Sequence, residues 1–125
     1  MIDHIIITVN NFERSVAFYN EALKPLNIRM TMDFKGPGDH HDLKGFGDDD
    51  AIYFWLKEGE VNSNGVHIGF VAKDHEQVQA FYKAAIAAGA MNKEEPRIFP
   101  EYYPGYYAAW ILDPDGYKIE LVHKS

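Results

Sequence analysis

The sequence predicts an α+β domain in which one strand-helix-three-strand module is used twice. The first observation is an internal repeat, since residues 4–19, HIIITVNNFERSVAFY, align without a gap on residues 67–82, HIGFVAKDHEQVQAFY. His4 and His67 coincide at the start of the copies. The second observation is that each copy joins an apolar, strand-like run to a helical stripe of apolar residues. We therefore expect one domain over residues 1–125, made of modules at about 1–58 and 65–125.

The first module begins with a strand over Ile2–Val9, which is rich in β-branched residues. Asn11 is the expected N-cap of the following helix, and Pro25 is expected to end it. Apolar residues repeat at helical spacing between these two positions. Three further strands are then expected, separated by a glycine-rich loop: Ile28–Asp33, Leu43–Phe46 and Ala51–Lys57.

The second module repeats this order after a polar connector. A strand is expected at Val66–Ala72, followed by a helix with Asp74 as its N-cap and Gly89 at its C-terminal end. The turn DPDG, which ends at Gly116, is expected to join the last two strands. The three strands expected after the helix are Lys93–Phe99, Tyr106–Leu112 and Tyr117–Val122.

Composition narrows the classes of function. A chain of 125 residues with 46% apolar residues has enough apolar surface for one folded core. The net charge of −7 and the lack of a basic stripe argue against nucleic acid as a partner. No apolar run reaches the length of a membrane span or of a secretory signal, so a cytoplasmic location is expected. Cysteine is absent, so any metal must be bound by His, Asp or Glu.

The repeated histidines are the first candidates for chemistry. Equivalent positions in two curled modules allow His4 and His67 to face one cavity, and Glu120 stands alone among apolar residues of the last predicted strand. Two histidines and a carboxylate form a ligand set that leaves coordination positions open for a substrate, and they suit Fe, Mn, Zn, Ni or Co. The alternative is that both histidines are structural and that Glu120 is a solvated residue at a sheet edge.

Three stretches resemble the vicinal oxygen chelate superfamily, which includes glyoxalase I, bleomycin-resistance proteins, fosfomycin-resistance enzymes and extradiol dioxygenases. They are DHIIITVNNFERSVAFY, VHIGFVAKDHEQVQAFY and AAWILDPDGYKIELV, which together cover both modules. The resemblance implies paired βαβββ modules that form a half-open barrel. It also implies that His4, His67 and Glu120 bind a divalent metal, and that the chain forms a homodimer that acts on a small molecule.

The chain departs from each named activity of that superfamily. Trp55 aligns with Glu120, where glyoxalase I and epimerase relatives carry a carboxylate in the first module. Only five residues follow Glu120, where fosfomycin-resistance enzymes add further polar groups. We therefore expect a metal-dependent enzyme of lyase, isomerase or dioxygenase type that chelates adjacent oxygens of an unidentified substrate. The alternative is a non-catalytic protein that sequesters a drug or another small molecule, as bleomycin-resistance proteins do.

Aromatic residues are the remaining candidates. We expect Tyr107 and Glu120 to be catalytic, because a tyrosine hydroxyl can orient or protonate a substrate oxygen. Trp55, Tyr53 and Tyr103 are expected to bind substrate, with the alternative that such aromatics only pack in the core. His40 and His41 lie in the glycine-rich loop, either as part of a lid over the site or as solvated loop residues.

Overall fold

The computed structural model describes residues 1–125 and places them in two four-stranded sheets and two long helices. The first half of the chain forms β1 (Ile5–Val9), α1 (Phe12–Ala22), a 3₁₀ turn (Lys24–Leu26), β2 (Arg29–Phe34), β3 (Leu43–Gly47) and β4 (Ile52–Glu58). The second half forms β5 (His67–Val71), α2 (His75–Ala87), β6 (Met91–Ile98), β7 (Tyr106–Leu112) and β8 (Lys118–Lys124). The expected α+β class and the order of elements are confirmed.

The two sheets have the same topology. Their strand orders are β1-β4-β3-β2 and β5-β8-β7-β6, and in each the first strand lies parallel to the last. The sheets do not close into a barrel. Within this topology Ile6 pairs with Trp55, and Gly69 pairs with Glu120. The register thus places Trp55 and Glu120 at equivalent positions of the two modules.

The helices begin where the sequence indicates. The Asn11 side chain accepts a hydrogen bond from the Arg14 N–H at 2.9 Å, and Asp74 accepts one from the Gln77 N–H at 2.8 Å. These bonds satisfy N–H groups that have no partner within a helical first turn. Helix α1 ends at Ala22, before Pro25, which lies inside the 3₁₀ turn.

Strand β1 is shorter than expected. The ladder with β4 begins with Ile5 paired to Phe54, so residues before Ile5 lie outside the strand. His4 therefore occupies an exposed segment just ahead of β1. Neither helix has the length and apolar character needed to cross a membrane.

Each sheet has one buried and one open face. The helices cover one face of both sheets, and 19 buried residues from the two halves form a shared core there. On the opposite face, which we call the open face, apolar side chains remain exposed: Ile6 by 46% and Val71 by 84%. This face also carries His67 and Glu120 of the second sheet.

Candidate functional site

Glu120 is a buried carboxylate with two hydrogen-bond donors. Its residue is only 5% exposed, and it lies in the middle of β8. The Tyr106 hydroxyl donates to Oε2 at 2.5 Å, and His67 Nε2 donates to Oε1 at 2.7 Å. Because a buried carboxylate without partners is strongly destabilising, these two bonds account for its position. The site thus contains a fixed carboxylate between an imidazole and a phenol.

Backbone geometry brings this trio together. Strands β5 and β8 are parallel, and Gly69 lies opposite Glu120. His67 precedes Gly69 by two residues on β5, so its side chain lies on the same face as Glu120 and contacts the carboxylate. A Cβ atom added at Gly69 would have no neighbouring atom within 4 Å. The glycine therefore leaves open space in front of the strand, beside the carboxylate, where another group can bind.

The Tyr106 hydroxyl remains protonated over the ordinary pH range. Burial and the neighbouring Glu120 carboxylate raise the pKa of this tyrosine well above its ordinary value of 10.0. Its ring is held edge-on by Tyr102 at 5.0 Å and by Tyr103 at 5.8 Å between centroids. Tyr106 is therefore a positioned donor toward Glu120.

An aromatic wall stands beside the carboxylate. Phe99 stacks on Trp110 at 4.8 Å, and the Trp110 ring lies 5.9 Å from that of His67. The Arg97 guanidinium lies 3.7 Å from the centre of the Phe99 ring, a cation–π contact. One side of the site is thus apolar and the other carries the trio of Glu120, His67 and Tyr106.

His4 shares a cavity with His67 but does not join the trio. Both histidines line a cavity of about 370 Å³ between β1 and β5, together with Tyr53. The His4 Nδ1–H donates to Asp3 at 2.5 Å. No group of three or more His, Asp or Glu side chains of one chain lies close enough to hold a metal ion.

The donor set therefore fits a divalent metal in part. Cis ligands at about 2.1 Å from a metal lie about 3 Å apart, and His67 Nε2 and Glu120 Oε1 are 2.7 Å apart. A small widening of this pair would provide two adjacent coordination positions. The third expected ligand, His4, lies just ahead of β1, the first strand of the other sheet.

The tyrosine beside Glu120 is Tyr106, not the expected Tyr107. The Tyr107 ring lies on the opposite face of β7, where it stacks on His75 at 3.9 Å and its hydroxyl accepts a hydrogen bond from Gln79. Alternation along the strand explains the difference, because Trp110 pairs with Glu120 across the ladder and Tyr106 is an even number of residues away. Counting back along β7 in steps of two from Trp110, the cross-strand partner of Glu120, is the sequence signal that identifies Tyr106.

The three residues expected to bind substrate, Tyr53, Tyr103 and Trp55, do not form one cluster. Tyr53 donates its hydroxyl to Asp48 at 3.0 Å, and burial together with that carboxylate raises its pKa to about 12. Tyr103 packs edge-on against the Tyr106 ring, with the Lys124 ammonium 5.7 Å from the centre of the Tyr103 ring. Trp55 lies on the open face of the first sheet, beside a second cavity that His4 and His40 also line.

The chain as a whole matches a known protein family. A family model described as the Glyoxalase/Bleomycin resistance protein/Dioxygenase superfamily matches residues 1–121. No curated protein matches the chain.

Solved structures share the fold over the whole chain. A glyoxalase/bleomycin resistance protein from Albidiferax ferrireducens T118 is 28% identical, with a TM-score of 0.79 over 100% of this chain and 99% of that one. A fosfomycin resistance protein from Listeria monocytogenes is 19% identical, with a TM-score of 0.72 over 100% and 93%. A glyoxalase I mutant from Zea mays is 22% identical, with a TM-score of 0.73 over 97% of this chain and 46% of that one.

Proposed function

Because the chain belongs to the Glyoxalase/Bleomycin resistance protein/Dioxygenase superfamily, we propose that it is a metal-dependent enzyme acting on a small organic substrate with two adjacent oxygens. The observation that supports this function most directly is the pair formed by His67 and Glu120 on the open face of the second sheet. A divalent metal held there would supply Lewis-acid catalysis and chelation of the two oxygens. Lyase, isomerase and dioxygenase chemistry all use such a site.

We propose that the third ligand, His4, comes from a second copy of the chain. His4 is about half exposed and lies in the first module, whereas the pair lies in the second. The open faces of both sheets expose apolar side chains that a second copy would cover, including Ile6 and Val71. A twofold homodimer that sets the first sheet of one copy against the second sheet of the other would complete two identical sites.

The chain's own groups have separate tasks in this proposal. Glu120 provides negative charge, and the Tyr106 hydroxyl holds the Oε2 atom and leaves Oε1 toward His67. Since the pKa of Tyr106 is raised, its hydroxyl acts as a donor and not as a base. The stacked rings of Phe99 and Trp110 close one side of the site to water.

Metal analysis tests this function. Protein purified without chelator is expected to contain about one divalent metal ion per chain, and Glu120→Ala and His4→Ala are each expected to lose it. His75→Ala is the control, because this exposed histidine contacts Tyr107 on the opposite face of the second sheet. Absence of metal from the unmodified protein, also after incubation with Fe, Mn, Zn, Ni and Co, contradicts the proposal.

Mixing the two defective variants tests the shared site. If His4 and Glu120 come from different chains, a mixed dimer of His4→Ala and Glu120→Ala has one intact site and one site that lacks both ligands. The mixture is then expected to regain metal at up to one ion per mixed dimer. No regain, although mixed dimers form, would place all ligands in one chain.

A second candidate is a non-catalytic protein that sequesters a small molecule. It is favoured by the observation that Glu120 is satisfied by His67 and Tyr106 alone, beside stacked aromatic rings. A buried carboxylate beside aromatic rings suits a cationic aromatic ligand. Thermal shift separates the candidates: stabilisation by divalent ions favours the enzyme, whereas stabilisation only by basic aromatic drugs favours sequestration.

A further inference from the structure

A second cavity, of about 350 Å³, lies on the open face of the first sheet. Its wall is mostly apolar, and three titratable residues, Asp3, His4 and His40, stand at its border. The apolar residues that line it are Ile6, Phe34, Leu43, Ile52 and Trp55. The cavity thus joins an apolar interior to His4, the residue proposed to complete the metal site.

Trp55 is placed at this cavity by a glycine on the neighbouring strand. Gly45 of β3 pairs with Trp55 of β4. A Cβ atom at Gly45 would lie 2.6 Å from Cζ3 of the indole and 2.8 Å from Cγ2 of Ile52, so any side chain there would displace the ring. Because Gly45 is buried while Trp55 is only half-buried, the indole covers the glycine and presents its remaining surface to the cavity.

His40 is held at the cavity by a tightly packed loop between β2 and β3. The His40 N–H donates to the Pro37 carbonyl at 3.0 Å, and the Gly36 N–H donates to the Asp42 carboxylate at 3.0 Å. A Cβ at Gly36 would lie only 2.0 Å from the carbonyl oxygen of His40, so the two backbone segments meet with no space for a side chain. The loop thereby fixes the backbone of His40.

The hydrogen bonds of His40 also fix its tautomer. Its Nδ1 lies 2.7 Å from the carbonyl oxygen of His41, which only accepts, so Nδ1 carries the proton in the neutral ring. Nε2 then has a free lone pair. The ring meets the edge of Phe34 with centroids 5.5 Å apart, which keeps it at the cavity border.

We propose that this cavity binds an aromatic group of the substrate, and that His40 is a specificity residue that accepts a hydrogen bond from a substrate hydroxyl. The proposal deepens the proposed function and rests on it, because the hydroxyl and a neighbouring oxygen would be the adjacent oxygens bound near His4. The favoured substrate class is therefore a small aromatic compound whose ring is attached to a carbon that bears one of two adjacent oxygens.

Two acids that differ only in the apolar group provide the test. Mandelate and lactate carry the same adjacent hydroxyl and carboxylate, but mandelate has a phenyl ring where lactate has a methyl group. The metal-loaded protein is expected to bind mandelate at least about tenfold more tightly than lactate, because the ring buries apolar surface. His40→Phe, which keeps the contact with Phe34 but removes Nε2, is expected to weaken mandelate binding about fivefold. His75→Phe is the matched control with unchanged affinity, because this exposed histidine stacks on Tyr107 on the opposite face of the second sheet.

Tryptophan fluorescence locates the ligand. The chain has two tryptophans, so Trp110→Phe leaves only Trp55 as a reporter, and Trp55→Phe leaves only Trp110. Mandelate is expected to change the emission of Trp55 in the first variant. Equal affinity for the two acids, no binding of either, or a change confined to Trp110 overturns the subsite. The metal content of the same samples tests the proposed function separately. If the protein binds no metal but still prefers mandelate to lactate, the metal site is refuted and the aromatic subsite is not.

Discussion

Removal of the Tyr19 hydroxyl is expected to destabilise the protein in a pH-dependent way. Tyr19 of α1 is fully buried and donates to the Asp113 carboxylate in the turn before β8. Asp113 also accepts the backbone N–H of Tyr117 at 2.9 Å. Tyr19→Phe keeps the ring and leaves one side of a mostly buried carboxylate without its donor. A lost hydrogen bond to a buried charged group costs about 1.5–3 kcal/mol, which we expect at pH 7.

The sign of the pH dependence follows from the pKa of Asp113. Burial raises this pKa above its ordinary value of 3.8, and the Tyr19 hydrogen bond opposes the rise. The folded state therefore holds a proton on Asp113 more strongly than the unfolded state, and stability falls as the pH rises through the folded pKa. Without the hydroxyl the folded pKa rises further, so Tyr19→Phe costs more at pH 7 than at pH 4, where the carboxyl group is closer to neutral.

Urea unfolding at pH 4 and pH 7 measures this difference, with Tyr82→Phe as the matched control. Tyr82 occupies the position equivalent to Tyr19 in the second copy of the repeat, but it is only half-buried and donates to the neutral Asn92 side chain at 3.1 Å. Its replacement is expected to cost about 1 kcal/mol or less at both pH values. An equal cost for Tyr19→Phe at pH 4 and pH 7, or a cost no larger than that of the control, would refute the reasoning.

Two further substitutions test local features of the fold. Gly45→Ala places a Cβ atom too close to the Trp55 ring and is expected to destabilise the protein by about 1–3 kcal/mol. It is also expected to change the fluorescence emission of Trp55 in the Trp110→Phe background. Unchanged emission would contradict the contact. Asp74→Ala removes the cap of α2 and is expected to cost about 1 kcal/mol in urea unfolding; a cost near zero would show that the cap contributes nothing.

Local sequence patterns were sufficient to predict the fold class. The strands and helices follow from the repeat and from short-range periodicity, and the caps at Asn11 and Asp74 depend only on neighbouring residues. The ends of elements were less accurate. Strand β1 begins at Ile5 and not at Ile2, because the start of its ladder depends on where β4, far along the chain, supplies a partner.

The candidate site was predictable where alternation along one strand decides it. The Glu120 side chain shares a face with Trp110 and Tyr106, a relation that follows from the strand period once the hairpin register is known. Tyr107 is one residue out of phase with this face, so the same period directs it to the opposite side of β7. The placement of His4 apart from the trio could not be predicted, because it depends on how the two modules pack around α1 and α2, for which no short-range pattern exists.

The duplicated architecture gives a physical reason for dividing chemistry and binding between the modules. Equivalent positions hold Trp55 paired with Ile6 in the first sheet and Glu120 paired with Gly69 in the second. Ile6 and the indole give the first open face an apolar surface, whereas Gly69 leaves space in front of a carboxylate. If a twofold dimer apposes unlike sheets, each proposed site receives one apolar face and one polar face. If like sheets met instead, one site would lack the carboxylate and the other would lack the aromatic cavity. The sequence differences between the two modules are therefore useful only when unlike sheets meet.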